Sequence, residues 1–538
     1  MQLRPIMQSG LSRPRVVVAE PFAERGLAVL RDAGIEVDSQ VGKPRESLAE
    51  ALAAADGLIV RSETRVDRAL LAAGPKLSVV ARAGVGVDAI DVDAATDAGI
   101  LVLNTPGANS IAATEQTFAL MLSLARRTPA AVEMLREGIW DRKSLVGSEL
   151  YGKTLGIVGL GRVGGNVATR AKAFGMTLLA YDPYISTARA DTFDARLVDL
   201  DTLLASSDIV TLHVPLTQQT IGMIDAAKLR LLRPHAYLVN CARGGVIVES
   251  DLLEALDANV LAGAAIDVVA EEPPPKDGSG AKLHRHPKVF ATPHIGGNTK
   301  EALERIATEL AQDVARVLLG APANAAVNAP VPDGPEAERV LPFLEVAYRL
   351  GRFYPQYAQP ERLPSLALVL GGALADVPPE PIVRAFLSGL LQATTDLRVS
   401  VVNAEAIARE KGIVVDARGD SAASSYASSL RLIAGKTSVT GVSIGGSPRI
   451  VELDGYEIDA TPIGAMLMTQ HADVPGMIGR VGTVLGNAGV NISTMQVSRN
   501  TVGGDAIMVL STDRPTDEAT LAALRAIPSI ASVRSLAL

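Results

Sequence analysis

The segment LGIVGLGRVGG, residues 155–165, is the feature that most restricts how this chain can fold. An apolar run ends at Gly159, and Gly161 and Gly164 follow at the spacing G-x-G-x-x-G. Gly159 permits a tight turn after a strand, Gly161 lets the backbone approach a pyrophosphate, and Gly164 lets the next helix pack on the sheet. The segment therefore predicts a strand, a turn and a helix that together bind a dinucleotide.

The residues after this turn specify the dinucleotide. A helix is expected to begin at Arg162 and Val163 and to offer its free N–H groups to the phosphates. The next strand, TLLAYD, ends in Asp182, whose carboxylate can accept a ribose 2′-hydroxyl and would repel a 2′-phosphate. The spacing favours NAD over NADP. The predicted buried stripe of the helix comprises Val163, Val167, Ala171 and Phe174.

Short β-branched runs alternate with alanine- and leucine-rich amphipathic segments over about the first 325 residues. Such alternation predicts parallel α/β sheets, and the runs fall into two groups. The first group lies at 15–22, 57–62 and 77–84, and the second extends from the glycine turn to 261–269. Residues 321–338, rich in alanine and proline, break every period and predict a linker.

Composition limits the class of protein. The 538 residues are 48% hydrophobic, which predicts three or four packed domains. The net charge of −8 and the lack of a basic run give no reason to expect nucleic acid or an anionic membrane as partner. The stretch Met1–Pro14 lacks the apolar core of a secretory signal, no apolar run is long enough to span a bilayer, and Cys241 is the single cysteine. We expect a cytoplasmic protein.

Three polar residues follow the glycine turn at the ends of predicted strands: Arg243 in NCARGG, Glu272 in DVVAEEP and His294 in ATPHIGG. Oxidation of a secondary alcohol needs a base for the hydroxyl proton, and an imidazole suits that task. Glu272 could hold one ring nitrogen of His294 protonated, while Arg243 could grip a substrate carboxylate and polarise the carbonyl oxygen. The set predicts hydride chemistry beside the dinucleotide.

Other polar residues have simpler interpretations. His294 by itself could be structural, and it gains weight only beside the other two residues. His284 and His286 are expected in a surface loop and lack further ligands at metal-binding spacing, so no metal site is predicted. Cys241 reads as a small buried residue rather than a nucleophile.

Many colinear motifs then resemble one family. VRSETRVD, ARAGVGVDAIDVDAATDAGILVLNTPGANS, GIVGLGRVGG, HVPLTQQTIGMI, NCARGG, IDVVAEEP and TPHIGG are similar to the D-isomer-specific 2-hydroxyacid dehydrogenases, in their phosphoglycerate dehydrogenase branch. The resemblance implies that Arg243, Glu272 and His294 are catalytic and that Asp267 meets the nicotinamide carboxamide. The other contacts expected for NAD are His213, Pro215, Thr220, Cys241, Ala242, Gly296 and Gly297.

The resemblance also implies the division of the chain. Residues 1–107 and 295–325 would form a discontinuous substrate-binding domain, and residues 108–294 the NAD-binding domain, both doubly wound and Rossmann-like. Residues 326–458 would form an α+β intervening regulatory domain, and residues 459–538 a βαββαβ ACT domain.

A phosphorylated substrate needs positive charge beyond that which binds its carboxylate. Arg61 and Arg82 follow predicted strands that face the cleft, and Ser62 and the backbone from Gly84 add donors. The resemblance places Val85 near the substrate carboxylate. The chain departs from the family at Ala89, where asparagine is more common, and in a longer PPPKDGSGAKLHRHPK segment.

The C-terminal segment MLMTQHADVPGMIGRVGTVLGNAGVNISTMQVSR resembles an ACT domain, for which the resemblance implies L-serine as effector. His471 and Asp473 would take the amino acid, with Asn491 reaching across from a partner chain. The alternative is an ACT fold that only joins subunits. The ligand of the intervening domain is not readable.

We expect NAD-dependent oxidation of 3-phospho-D-glycerate to 3-phosphooxypyruvate, the entry to serine synthesis, by a homo-oligomer that is a tetramer. Two alternatives stay open. One is a dehydrogenase for another D-2-hydroxy acid, such as 2-hydroxyglutarate or glycerate. The other is a non-catalytic, corepressor-like protein that senses NAD.

Overall fold

The computed structural model describes residues 13–538 except 322, 331–333, 362, 364 and 423–425, and it does not describe the side chains of 334 and 335. Most of the N-terminal stretch and part of the predicted linker lie outside these residues. Among the described residues, no helix is both long and apolar enough to cross a bilayer.

The first sheet is parallel and contains five strands. Its strands are β1 (Arg15–Val18), β2 (Glu36–Ser39), β3 (Gly57–Val60), β4 (Val79–Arg82) and β5 (Leu101–Leu103). The helices between them are α1 (Glu24–Asp32), α2 (Arg45–Leu52), α3 (Arg68–Ala72) and α4 (Val92–Asp97). The strand order is β2-β1-β3-β4-β5. Helices cover both faces, which explains why β3 and most of β1 and β4 are continuous apolar runs.

The second sheet contains seven parallel strands. They are β6 (Thr154–Val158), β7 (Thr177–Tyr181), β8 (Ala195–Leu197), β9 (Ile209–Leu212), β10 (Tyr237–Asn240), β11 (Gly263–Ile266) and β12 (Val289–Ala291). The helices of this region are α5 (Ser110–Arg126), α6 (Thr128–Arg136), α7 (Arg162–Ala173), α8 (Thr187–Asp191), α9 (Leu200–Ser206), α10 (Ala226–Leu229), α11 (Glu249–Asp257) and α12 (Ser279–Arg285).

The strand order of this sheet, β12-β11-β10-β9-β6-β7-β8, reverses between β6 and β9. Ligands of doubly wound sheets bind at such a reversal, beyond the carboxyl ends of the strands. Helix α13 (Lys300–Leu318) then returns to the first sheet, where Ile306 and Leu310 are buried in the same core as Val16 and Leu30. The predicted pair of doubly wound domains is confirmed.

Two predictions about this half were wrong in detail. Phe174 immediately follows α7 and is 41% exposed. Its ring stacks on that of Phe118 in α5 instead of entering the core. The segment expected to be a surface loop around His284 contains α12, whose Leu283 is buried.

The C-terminal half starts with a mixed sheet. Its elements are α14 (Gly334–Ala358), β13 (Leu366–Gly372), α15 (Glu380–Gln392), α16 (Ala404–Glu410), β14 (Val415–Asp420), β15 (Ser428–Ala434), β16 (Thr437–Ile444), β17 (Ser447–Leu453) and β18 (Tyr456–Ala460). The strand order is β14-β13-β15-β16-β17-β18. The long helix begins at Gly334, so the predicted linker extends too far at its end.

The last sheet is antiparallel. Its elements are β19 (Ala465–Ala472), α17 (Met477–Asn487), β20 (Ile492–Arg499), β21 (Asp505–Thr512), α18 (Glu518–Arg525) and β22 (Ile530–Ala537). The order β20-β21-β19-β22 and the sequence of elements confirm the predicted βαββαβ fold. The expected boundary at residue 458 falls within β18.

The two C-terminal sheets share one hydrophobic core. Met466, Met468 and Val509 are buried in the same cluster as Leu350 and Tyr354 of α14. Gln356 of α14 also exchanges hydrogen bonds with the backbone of Ala537, at 2.8 and 3.1 Å. The two sheets are therefore packed as one body around α14.

Arg398 and Asn403 connect this body to the first sheet and its helices, and the side-chain amide of Asn403 donates to the carbonyl oxygen of Asp97 at 3.5 Å. Arg398 donates to the carbonyl oxygen of Pro75 at 3.0 Å and to that of Leu77. Burial lowers the pKa of Arg398. Both carbonyls lie just before β4, so the C-terminal body contacts the segment that leads into a strand ending near the cleft.

Candidate active site

The carboxyl ends of the first two sheets face a common cleft of about 310 Å³. Its walls are formed by Val85, Pro106, Asn109, Ser110, Ala113, Arg162, Val163, His213, Val214, Pro215, Cys241, Ala242, Arg243, Asp267, His294, Gly296 and Gly297. Residues from the first sheet, the glycine turn and the last loops of the second sheet thus converge. The predicted residues outside these walls are Arg61, Ser62, Arg82, Gly84, Gly159, Gly161, Gly164, Asp182, Thr220 and Glu272.

His294 and Glu272 form a hydrogen-bonded pair at the edge of the cleft. The Nδ1 atom of His294 lies 2.6 Å from Oε2 of Glu272, while Oε1 accepts from the backbone N–H of Val269 at 3.1 Å. Burial by itself would raise the pKa of Glu272, but these contacts and the nearby Arg243 hold that pKa below its usual value. An ionised Glu272 fixes Nδ1 as the protonated nitrogen and leaves Nε2 to accept a proton.

The backbone of His294 is held in a strained conformation. Its φ of 50° lies in the left-handed region, which residues with a Cβ rarely adopt. The amide of His294 donates to the carbonyl oxygen of Asp267 at 2.8 Å, which stabilises the turn. The strain directs the imidazole toward Glu272 instead of along the strand, as is common at functional sites.

Arg243 lies where the two domains meet. Its Nη1 donates to the carbonyl oxygen of Ala242 at 2.7 Å, and its Nε is 3.8 Å from Oδ2 of Asp88 in the substrate domain. A side chain at Gly86 would come within 2.6 Å of Nη2, so the guanidinium lies against that backbone. Arg243 can therefore contact a carboxylate that binds between the two domains.

The glycine turn has the geometry that NAD requires. Gly159 has a φ of 91°, and a Cβ at Gly164 would lie 2.0 Å from the carbonyl oxygen of Gly159. Both positions therefore need glycine for the fold itself. A Cβ at Gly161 would meet no heavy atom within 4 Å, so packing alone does not explain that glycine. Its lack of a side chain leaves the start of α7 open to a diphosphate.

Asp182 lies immediately after β7, beside the glycine turn. One carboxylate oxygen accepts from the backbone N–H of Leu160 at 2.9 Å and the other from that of Tyr184 at 3.0 Å. Each oxygen keeps a second lone pair for a ribose hydroxyl. Thr220 instead closes a turn by donating to the carbonyl oxygen of Pro215 at 2.5 Å.

Asp267 organises the inner wall of the cleft. Its carboxylate accepts from the hydroxyl of Thr292 at 2.5 Å and from the backbone of Ile295 and Gly296 at 2.9 and 2.8 Å. The thiol of Cys241 lies 3.7 Å from the same carboxylate. Burial and this negative charge raise the pKa of Cys241, so the thiol stays neutral. This geometry agrees with the prediction that Cys241 is a small packing residue rather than a nucleophile.

His213 contributes shape rather than charge to the cleft. Its Nε2 lies 3.0 Å from the hydroxyl of Thr211, and burial lowers the pKa of the imidazole to about 3, although the residue as a whole is half-buried. The side chain is therefore neutral near pH 7. The negative charges of a dinucleotide must be met by helix N–H groups and by Arg162, whose Nη1 donates to Pro106 O at 3.2 Å.

Arg82, Arg61 and Arg243 form a cluster of positive charge near the carboxyl end of the first sheet. Burial lowers the pKa of Arg82, and the positive charges of Arg243 and Arg61 lower it further. Asp88 and Glu20 partly offset this repulsion. The cluster is suited to a ligand that carries several negative charges. Ser62 is exposed at the start of the same loop.

Sequence reasoning missed the residues that hold these loops. The side-chain amide of Asn104 donates to the carbonyl oxygen of Val85 at 2.6 Å, and the amide of Gln116 donates to the hydroxyl of Thr292 at 3.1 Å. Glu20, which is 6% exposed, accepts backbone N–H groups from the Arg61 loop. A polar residue directly after a buried strand was the available signal for Glu20.

The three predicted effector residues do not converge within one chain. His471 is 3% exposed, and its Nδ1 lies 2.9 Å from the carbonyl oxygen of Ala472. Asp473 follows β19 and pairs with Arg499 at 2.8 Å. Asn491 precedes β20, whose start pairs with Thr512 at the other end of the sheet. A pocket made from all three residues would need a second chain.

Three family models match successive parts of the chain. Residues 118–296 match the NAD-binding domain of D-isomer specific 2-hydroxyacid dehydrogenases, residues 339–454 the intervening domain of D-3-phosphoglycerate dehydrogenase, and residues 465–529 the ACT domain.

Solved structures resemble the N-terminal half. D-lactate dehydrogenase from Escherichia coli is 26% identical with a TM-score of 0.52, covering 58% of this chain and 99% of that one. D-lactate dehydrogenase from Aquifex aeolicus, in complex with NAD and lactic acid, is 28% identical with a TM-score of 0.51, covering 57% and 96%.

Curated relatives match nearly the whole chain. D-3-phosphoglycerate dehydrogenase from Synechocystis is 41% identical over 96% of this chain and 93% of its own length. The enzyme of the same name from Bacillus subtilis is 39% identical over 97% and 99%. With the three domain matches in the same order, this chain belongs to the D-3-phosphoglycerate dehydrogenases, within the D-isomer specific 2-hydroxyacid dehydrogenase family.

Proposed function

We propose that this protein oxidises 3-phospho-D-glycerate to 3-phosphooxypyruvate with NAD as cofactor, the first step of the phosphorylated route to L-serine. The observation that carries the proposal is a cleft lined by His294, which pairs with Glu272 at 2.6 Å, and by Arg243, whose positive charge acts on the neighbouring Arg82. The relatives named D-3-phosphoglycerate dehydrogenase support the same substrate.

Each side chain has a separate role in the proposed reaction. Nε2 of His294 takes the proton of the substrate hydroxyl, and Glu272 stabilises the imidazolium that forms. Arg243 binds the substrate carboxylate and polarises the developing carbonyl, while Arg61 and Arg82 supply charge for the phosphate. NAD, when bound between the glycine turn and Asp267, supplies the hydride acceptor.

We assign these roles to separate parts of the chain. Residues 1–107 and 295–325 bind the substrate, and residues 108–294 bind NAD. Residues 326–458 form the intervening domain and 459–538 the ACT domain, although the shared core around α14 makes the last two one mechanical unit.

NADH formation by the purified protein tests the reaction. Phosphoglycerate is compared with glycerate and 2-hydroxyglutarate, and we expect at least a hundredfold higher kcat/KM for the phosphorylated acid. A preference for an unphosphorylated acid would reassign the substrate. Binding of NAD without turnover of any hydroxy acid would support the corepressor-like alternative.

We further propose that L-serine regulates the enzyme and that the protein is a homotetramer. In one chain Asp473 and Asn491 lie at opposite ends of the ACT sheet, and β20 leaves Met495 and Val497 each 38% exposed. Pairing of two ACT domains would cover this strand and bring Asp473 close to Asn491 of another copy.

Serine titration and mass measurement by light scattering test this proposal together. We expect inhibition of NADH formation by serine and a fourfold subunit mass. Asn491→Ala should weaken inhibition without changing turnover in the absence of serine. A tetramer that does not respond to serine would leave the ACT domain as a joining module only.

A further inference from the structure

Glu20 is a buried carboxylate in a position that the reaction does not explain. It is 6% exposed and is the second residue after β1. Its Oε1 accepts from the backbone N–H groups of Arg61 and Thr64 at 2.8 and 2.9 Å, and its Oε2 accepts from that of Glu63 at 3.2 Å. Three backbone donors of one short loop therefore converge on one carboxylate.

The sheet order makes this contact possible. Strand β3 pairs with β1 on one side and β4 on the other, and all three are parallel, so their carboxyl ends lie at one edge. Glu20 follows β1, the Arg61 loop follows β3, and Arg82 ends β4. Neighbouring strands are roughly 4.8 Å apart, which brings the carboxylate, the loop and the second arginine into one row.

Glu20 changes how this loop can bind an anion. Successive backbone N–H groups in such a loop form a concave anion site. The carboxylate of Glu20 already fills this site, so the loop cannot use these N–H groups for a ligand phosphate. Binding must then depend on the side chain of Arg61, whose backbone Glu20 holds in place.

The negative charge has a second consequence. Burial and the charges of Arg243 and Arg61 lower the pKa of Arg82, and the negative charge of Glu20 acts in the opposite direction. A carboxylate that is already bonded to three N–H groups can lower the repulsion without competing for the substrate, because its lone pairs point to the loop. Arg82 and Arg243 each use one Nη1 donor on a backbone carbonyl, at 3.1 and 2.7 Å, and a guanidinium carries further N–H groups that can bind an anion.

We propose that Glu20 is a positioning residue that sets the affinity and selectivity of the enzyme for the phosphate end of its substrate. This inference rests on the proposed function, since it concerns the binding of 3-phosphoglycerate. Glu20 does not touch the reacting carbon, so it acts on the Michaelis constant through Arg61 and Arg82.

The test compares Glu20→Gln with the wild-type enzyme in steady-state assays. The amide keeps the side-chain size but removes the charge and one of the acceptor oxygens. We expect the KM for 3-phosphoglycerate to rise about tenfold, since a charge-assisted hydrogen bond to the loop is lost, while kcat changes less than twofold. The KM for 2-hydroxyglutarate and the affinity for NAD should change less than twofold.

Two further variants separate positioning from folding. Glu20→Asp keeps the charge with a shorter reach, so we expect an intermediate KM. Asp313→Asn is the matched control, because Asp313 is also 6% exposed and accepts from the backbone N–H of Asn324 at 3.1 Å in the same domain. It should leave every kinetic constant unchanged.

The outcomes are distinct. An unchanged KM in Glu20→Gln, or an equal loss of kcat for all substrates, overturns the inference. The same is true if Asp313→Asn raises the KM as much, because the effect is then general loosening of the domain. A wild-type enzyme that turns over another hydroxy acid but not phosphoglycerate overturns the proposed function instead.

Discussion

The catalytic half and the C-terminal half both combine sheets with helices, yet they place polar residues in different ways. Parallel strands end at one edge, so His213, Arg243 and Asp267, which follow three separate strands of the second sheet, line a single cleft. Antiparallel strands end at alternating edges, so Asp473 and Asn491 lie apart by the length of an eight-residue strand, roughly 25 Å. One chain can complete the catalytic site that we propose, whereas the proposed effector site needs a partner chain.

Removal of the base should have the largest effect and tests whether the catalytic half is complete in itself. We expect His294→Ala to lower kcat by about 10² to 10⁴, as loss of a general base does, with NAD affinity unchanged. His235→Ala is the control, because His235 pairs with Asp208 in the same domain but outside the cleft walls. Equal kinetics for wild type and His294→Ala would falsify the assignment of the base.

Loss of the carboxylate partner should have a smaller effect on the same step. Glu272→Gln keeps a hydrogen bond to His294 but removes the charge that stabilises the imidazolium, so we expect kcat to fall about 10- to 100-fold. Glu271→Gln, at the exposed neighbouring position, should match wild type. Activity near wild type in the first variant would show that the 2.6 Å contact has no catalytic part.

Two arginines of one loop allow a charge proposed to bind the substrate to be compared with a charge at the surface. Arg61→Ala should raise the KM for 3-phosphoglycerate about tenfold or more and that for 2-hydroxyglutarate far less, because only the first ligand carries a phosphate. Arg65→Ala, an exposed arginine of the same loop, serves as control. Equal shifts for both substrates would point to a different substrate.

Part of the contact between the N-terminal and C-terminal halves can be removed by substituting Arg398. Arg398→Ala removes two hydrogen bonds to the segment before β4, so we expect serine to inhibit about two- to fivefold less effectively while turnover without serine stays within twofold. Arg418→Ala, at an exposed position of β14, is the control. Unchanged serine inhibition in Arg398→Ala would show that regulation follows another route.

The free energy of unfolding at low pH allows one carboxylate from each half to be compared. Burial alone would raise the pKa of Glu20, but its backbone N–H partners hold that pKa below its usual value. The pKa of Asp473 is also lowered, chiefly by Arg499. A lowered folded-state pKa stabilises the protein above the unfolded value, and this contribution is lost as the pH falls through the folded value.

We therefore expect the free energy of unfolding to fall less steeply below about pH 4.5 in Glu20→Gln than in wild type, measured by urea denaturation. Asp473→Asn should change the slope less, because water screens its partly exposed ion pair. A larger change for Asp473 would reverse the comparison.

The residues with strong local signals were found from the sequence. The glycine spacing around Gly161 and the buried apolar runs predicted the two parallel sheets, and the motifs around Arg243 and His294 predicted a catalytic set that the structure brings to one cleft. Strand β2, with the polar sequence EVDS, was not predicted, since an edge strand needs no apolar run.

What the sequence determined by itself is the chemistry available at each strand end: a base, a carboxylate, guanidinium groups and a glycine turn suited to NAD. The tertiary structure decided which of these groups meet, because contacts such as Glu20 with Arg61 span 41 residues and depend on strand order. It also joined the two C-terminal sheets into one core around α14. Local patterns encode the type of residue and its periodicity, whereas the partner of a buried charge is set by packing between elements distant in the chain.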